Sequence, residues 1–205
     1  VGDGFNVPEA GTKEVLTVRF QRDCRVPGWS ILIPERKYMK INIPPNTALL
    51  IIDVQQGLDD LKWGRRNNPD AEANISRLIN VWRHEQRPVI HIQHCSIEPD
   101  SPLRPELPGC QFKPEATPIE GEPVFQKTVH SAFIGTDLES HLRNRGIEHI
   151  VIVGLTTDQC VSTTTRMAGN LGFNVLLVSD ATATFDRKGP DGKEHKAEDI
   201  HAVHI

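Results

Sequence analysis

Short apolar runs and amphipathic stretches alternate along most of this chain. Thr47-Ala48-Leu49-Leu50-Ile51-Ile52-Asp53 is a continuous apolar run closed by an acid, the pattern of a strand buried on both faces. Asn68-Pro69 follows as a helix start, with a cap and a proline at the first helical position. Ile75, Leu78, Ile79 and Trp82 then recur at i, i+3, i+4 and i+7, which is one apolar face of a helix. Arg87-Pro88 ends that helix, and Val89-Ile90-His91-Ile92 is a second strand.

Val124-Phe125-Gln126 is a third strand, ending at Lys127. Thr136 and Glu139 have the spacing of a capping box, opening a helix through Leu138 and Leu142 that stops at Gly146. Ile150 to Val153 is a fourth strand, followed by a helix from Ser162 to Gly172. Val175 to Val178 is a fifth, ending at Asp180, and a last helix is expected from about Lys193. Strands alternating with helices predict right-handed β-α-β units. The expected fold is α/β: a three-layer, doubly wound, Rossmann-like parallel sheet with helices on both faces, spanning 47–205.

Residues 1–46 break the alternation. Val15-Leu16-Thr17-Val18-Arg19-Phe20 and Tyr38-Met39-Lys40-Ile41-Asn42-Ile43 have period-two character around Pro27-Gly28. They predict an N-terminal β-hairpin or arm, packed on the sheet's edge or reaching a neighbouring subunit. Ser96 to Pro123 is polar and rich in proline, a long connection of the kind that covers a site.

Charge and composition narrow the function classes. A formal charge of −4 gives no electrostatic case for nucleic acid or an anionic membrane surface. No apolar run is long enough to cross a bilayer. The first twenty residues lack the apolar core of a secretory leader, so a cytoplasmic location is expected. The four cysteines, Cys24, Cys95, Cys110 and Cys160, have no zinc-ligand spacing and read as free thiols, with Cys95 and Cys110 the pair to test for a disulfide.

Candidate chemistry collects at one edge. In an open parallel sheet the carboxyl ends of the strands share a rim, where ligands bind. Asp53 ends the first strand, Lys127 ends the third, and Cys160 follows the fourth. A thiol between a strand end and a helix start faces unpaired N–H groups and the helix dipole, which favour thiolate. Cys160 is then a nucleophile, Asp53 a general base and acid, and Lys127 a fixed cation that keeps Asp53 ionised. Backbone N–H groups from Thr156 to Cys160 are candidate oxyanion donors.

Ala48-Leu49-Leu50-Ile51-Ile52-Asp53-Val54-Gln55, Lys127 with Ser131-Ala132-Phe133, Gly154-Leu155-Thr156-Thr157-Asp158-Gln159-Cys160-Val161 and Asp180-Ala181 occur in an order that resembles the isochorismatase-like cysteine hydrolases. The resemblance runs from about Thr47 to the end of the chain. It implies an Asp53-Lys127-Cys160 triad and a cis peptide at Leu155-Thr156 that aims the oxyanion amides, with Gln159 beside them. It also implies a homo-oligomer, dimer or tetramer.

The presence of Cys160 favours hydrolysis of a C–N bond in a small amide, ureide, carbamoyl amine or lactam through a thioester. Vinyl ether hydrolysis and a non-catalytic thiol-sensing scaffold are the alternatives. Nicotinamidases of this family hold a metal through an Asp-x-His motif. No such motif lies near His91 and His94, which read as structural, so neither metal nor cofactor is expected. Gln55, Trp63, Phe133, Thr157 and Phe185 are candidates for the wall of a small-molecule pocket, and Arg65 or Arg66 for binding a substrate carboxylate.

Overall fold

The computed structural model describes residues 43–205 together with the backbone of three short strands, β1 (Leu16–Val18), β2 (Ser30–Leu32) and β3 (Tyr38–Lys40). The apolar runs form β4 (Ala48–Ile52), β5 (Val89–His94), β6 (Val124–Lys127), β7 (His149–Leu155) and β8 (Asn174–Ala183). These five strands are parallel, in the order β8-β7-β4-β5-β6, with β1 added in parallel outside β8. The chain winds outward from β4 through β5 to β6, then returns to place β7 on the other side of β4. The reversal of winding falls between β4 and β7, and it opens a crevice at their carboxyl ends.

The strands are buried on both faces because alternate residues feed two cores. Leu49, Ile51, Val151 and Val153 pack with Ile75, Leu78, Ile79 and Trp82 of helix α1 (Ala71–His84). Ala48, Leu50, Ile52, Ile150 and Ile152 pack on the other side with Leu138 and Leu142 of α2 (Leu138–Asn144) and Ala168 of α3 (Ser162–Asn170). Each such buried side chain contributes about 1.5–3 kcal/mol. Trp82 is fully buried, and its indole N–H donates to the Thr47 carbonyl at 2.9 Å, so the largest core residue leaves no orphan donor.

Local signals were overridden at several boundaries. Asn68 does not cap α1; it sits at φ 41°, and its amide donates to the Ser179 and Thr182 carbonyls at 2.8 and 2.7 Å. The Thr136–Glu139 capping box does not form: α2 starts after Asp137, and Glu139 pairs instead with Arg143 one turn on. The last helix, α4 (Ala197–His204), starts later than expected, because β9 (Arg187–Lys188) and β10 (Glu194–His195) first form an antiparallel ribbon. Among the described residues the two period-two segments of the N-terminal region do not pair with each other. Tyr38–Lys40 pairs antiparallel with Ser30–Leu32, and Leu16–Val18 lies against β8. Cys24 lies outside the described residues, whereas Cys95, Cys110 and Cys160 are free thiols. Among the described residues no helix is long and apolar enough to cross a membrane.

One glycine is demanded by the sheet. Gly154 lies at φ 125° where β7 passes β4, and a Cβ there would sit 2.0 Å from the Ile52 carbonyl oxygen. Gly154→Ala is therefore expected to lower unfolding free energy by about 2 kcal/mol or more, read from denaturant titration. An unchanged midpoint would show that the β4–β7 contact yields easily.

Candidate active site

Asp53 follows β4 at φ 50°, a left-handed conformation uncommon for a residue with a side chain, while its N–H still donates to the Ile92 carbonyl at 3.0 Å. The turn delivers its carboxylate to the crevice. Lys127 is the last residue of β6, in register with His94 of β5. Its ammonium donates to Asp53 Oδ2 at 2.6 Å and to His94 Nδ1 at 3.0 Å. The pair is almost dry, with side-chain exposures of 0% for Lys127 and 2% for Asp53. Asp53 Oδ1 is buried and has no hydrogen-bond partner among the described residues.

Cys160 lies in a wide turn, Thr157–Val161, between β7 and α3. Its sulfur, one Asp53 carboxylate oxygen and one His94 ring nitrogen lie within 4.8 Å of one another. His130 Nδ1 is 3.5 Å from Cys160 Sγ. The structure therefore brings the three residues singled out at the sheet edge into one cluster, and adds two histidines.

The electrostatics differ from the expected activated thiolate. Burial, and next the Asp53 carboxylate, push the Cys160 thiol up; Lys127 pulls the other way without offsetting them. Amide donors that were expected to favour thiolate are engaged elsewhere: the Gln159 and Val161 N–H groups both donate to the Thr156 carbonyl at 3.2 Å. Helix α3 begins two residues beyond the sulfur. Burial also opposes the Lys127 ammonium, but Asp53 and then the Cys160 sulfur outweigh it and leave its pKa raised. For His94, burial and Lys127 both act downward, so the ring is neutral and accepts from the ammonium.

The loop that carries the sulfur is braced from several directions. The Leu155–Thr156 peptide bond is cis. Asp158 Oδ1 accepts from Thr184 Oγ1 at 2.5 Å, and Oδ2 accepts from Arg187 Nε at 2.9 Å. Burial alone would raise the Asp158 carboxyl, yet Arg187 and Thr184 reverse that and hold it below the usual carboxylate range. Thr157 Oγ1 meets His201 Nδ1 of α4 at 2.9 Å.

A cavity of about 370 Å³ opens onto the sulfur. Leu58, Trp63, Leu103 and Leu155 make its apolar side, and Thr156 and Gln159 lie at its floor with Cys160. Lys62, Glu98, Asp100 and Arg187 line it as charged residues. Part of the proline-rich segment, from Ser96 to Leu103, thus forms one wall.

Trp63 is the one pocket-wall candidate from the sequence that lines this cavity. Phe185 is buried behind Trp63 and stacks on it at 5.9 Å. Phe133 is half-buried and packs on Phe173 at 5.8 Å, against the core. Thr157 is fully buried and turned toward α4. Gln55 is a strut: its amide donates to the His94 and Cys110 carbonyls at 3.0 and 2.8 Å and accepts from the His94 N–H. Arg65 is held by Asp186 and Glu198, and Arg66 by Glu72, so neither reaches the cavity.

His91 is structural, fully buried with Nε2 2.8 Å from Glu122. His94 is not; it belongs to the site. Asp53, His94 and Cys160 could in principle ligate a cation, but the Lys127 ammonium already donates to two of the three. That places a positive charge where a metal would have to bind. His94 had a signal that was passed over, since it ends β5 on the same rim as Lys127. His130, Asp158, Arg187 and His201 had none at short range.

Residues 47–200 match the family model for the isochorismatase domain. The chain is 48% identical over 158 residues to the uncharacterized isochorismatase family protein YrdC of Bacillus subtilis, covering 77% of this chain and 84% of that protein. A solved structure from Chromobacterium violaceum, assigned to the same family, superposes with a TM-score of 0.76 at 46% identity, over 78% of this chain and 83% of that one. The ureidoacrylate amidohydrolase RutB of Variovorax paradoxus is 29% identical over 172 residues, 67% of this chain and 68% of that protein. The chain belongs to the isochorismatase family of hydrolases.

Proposed function

We propose that this family member cleaves a C–N bond of a small amide, ureide, carbamoyl amine or lactam by way of a thioester on Cys160. The observation that carries the reading is the dry meeting of sulfur, carboxylate and ammonium at the floor of a small cavity. A relative whose name is an amidohydrolase points to the same bond class.

Each atom has a task. Asp53, with a carboxylate oxygen within 4.8 Å of the sulfur, takes the thiol proton as sulfur attacks the carbonyl carbon. Lys127 holds Asp53 Oδ2 before that transfer and balances the negative charge that moves onto the substrate. The Gln159 amide is engaged with Thr156, so the oxyanion falls to the other amides from Thr156 to Cys160, one such donor being worth about 3 kcal/mol. Asp53 then passes its proton to the departing nitrogen. Water cleaves the thioester and regenerates the thiol. A thiol whose pKa is raised suits this sequence, because proton removal is coupled to attack instead of preceding it.

Two measurements test the reading. Ammonia or amine release is followed across a panel of small amides, ureides and carbamoyl amines, with mass spectrometry of the quenched enzyme. An acyl adduct on Cys160 is expected, and Cys160→Ala and Asp53→Asn should each lower kcat by about 10³-fold or more. Undiminished turnover by Cys160→Ala would sink the thioester route. Iodoacetamide reactivity tests the resting thiol. Cys160 should alkylate more slowly at pH 7 than a free thiol, with a rate still climbing beyond pH 9, where an ordinary cysteine is half ionised. A rate that plateaus near pH 6 would mean a preformed thiolate.

A further inference from the structure

We propose that His130 is a second proton-transfer residue at this site, serving the water that hydrolyses the thioester, while Asp53 serves the thiol. The inference rests on the thioester reading above and adds a catalytic group to it.

His130 Nδ1 lies 3.5 Å from Cys160 Sγ, against the reacting atom. The contact is held by the backbone. Thr164, fully buried on α3 one turn after Cys160, donates its hydroxyl to the His130 carbonyl at 3.5 Å and accepts the Ala132 N–H at 3.1 Å. The helix that follows the nucleophile therefore also fixes the segment carrying the imidazole.

Asp53 and His130 differ in their access to water. Asp53 is 2% exposed, with Oδ2 committed to Lys127. It is well placed for a proton already inside the site, that of the thiol. Asp53 lines the cavity too, but its carboxylate is buried and one oxygen is held by Lys127. His130 is exposed and lines the same cavity, with Nδ1 against the sulfur. An acyl carbon one bond from Sγ lies within one water molecule of Nδ1.

The proton count closes. Acylation returns Asp53 to its ionised form once the amine has left. In deacylation the water oxygen bonds to the acyl carbon, and its proton passes to His130 Nδ1. The tetrahedral intermediate then collapses, the C–S bond breaks, and the imidazolium returns that proton to the departing sulfur. The products are a carboxylic acid and the original thiol, with imidazole and carboxylate unchanged.

His130→Asn and His130→Gln test the assignment, with retained melting temperature as the folding control for this exposed position. On a substrate for which the wild type shows a Cys160 adduct, the acylation burst should persist while the steady-state rate falls about 10²-fold. The acyl-enzyme then becomes the dominant species by mass. Free imidazole should restore part of the turnover of His130→Ala. Unchanged steady-state rate and adduct fraction would overturn the proposal and assign both steps to Asp53. Equal losses of burst and steady-state rate, with no rescue by imidazole, would overturn it and leave His130 a positioning role. Wild-type turnover without any adduct, undiminished in Cys160→Ala, would instead remove the thioester reading itself.

Discussion

A salt bridge between two side chains that water scarcely reaches organises this molecule. An ammonium and a carboxylate each lose several kcal/mol of hydration when taken into a protein interior, and their attraction alone does not guarantee repayment. Here the Lys127–Asp53 contact is 2.6 Å and the ammonium donates again to His94. Satisfying both requires β4, β5 and β6 in their observed register, and Asp53 in a left-handed turn. Such a pair is a weak source of stability and a strong source of position. Either partner alone would strand a buried charge. The sheet edge is thus organised around holding a carboxylate against an ammonium where water scarcely reaches.

The strands were the most legible feature, because a strand covered on both faces needs an unbroken apolar run and the chain supplies one for each of β4, β7 and β8. The rule that ligands gather at strand carboxyl ends then led to Asp53, Lys127 and Cys160. Applied evenly, it would also have led to His94, which ends β5 opposite Lys127. The pocket wall was hard to read for a physical reason. Aromatic residues near a motif are large enough to serve as core or as wall, and sequence spacing does not say which. Phe133 met Phe173, Phe185 backed Trp63, and only Trp63 faced the cavity. Gln55 and Thr157, beside Asp53 and Cys160, spend their polar atoms on backbone and on His201. Adjacency in sequence to a reacting residue often means support in this fold.

That support is long-range and comes largely from the chain beyond β8. Asp158 is tied to Thr184 and Arg187, and Thr157 to His201. The same stretch is anchored at its base, where Asp186 accepts from Arg65 and from the Ala197 N–H, and Arg65 also reaches Glu198. The two Arg65 contacts are exposed ion pairs of small individual worth. Their effect is geometric: they set where α4 starts, and α4 places His201 against the nucleophile loop. Capping signals read locally, such as Asn68 before Pro69, lose to such tertiary ties because a cap is worth only about 1 kcal/mol.

The resting thiol completes the logic of the salt bridge. Burial penalises a sulfur anion before substrate arrives, and a nearby carboxylate adds to the penalty. An arrangement that lowered the thiol pKa would spend the field of Lys127 on the ground state, where it gains no rate. Holding the proton on sulfur until attack keeps Lys127 and the loop amides for the charge that develops on the substrate. The same dryness that raises the thiol pKa strengthens those interactions once charge moves. Burial of Cys160 is therefore consistent with a nucleophile whose activation is deferred to the moment of reaction.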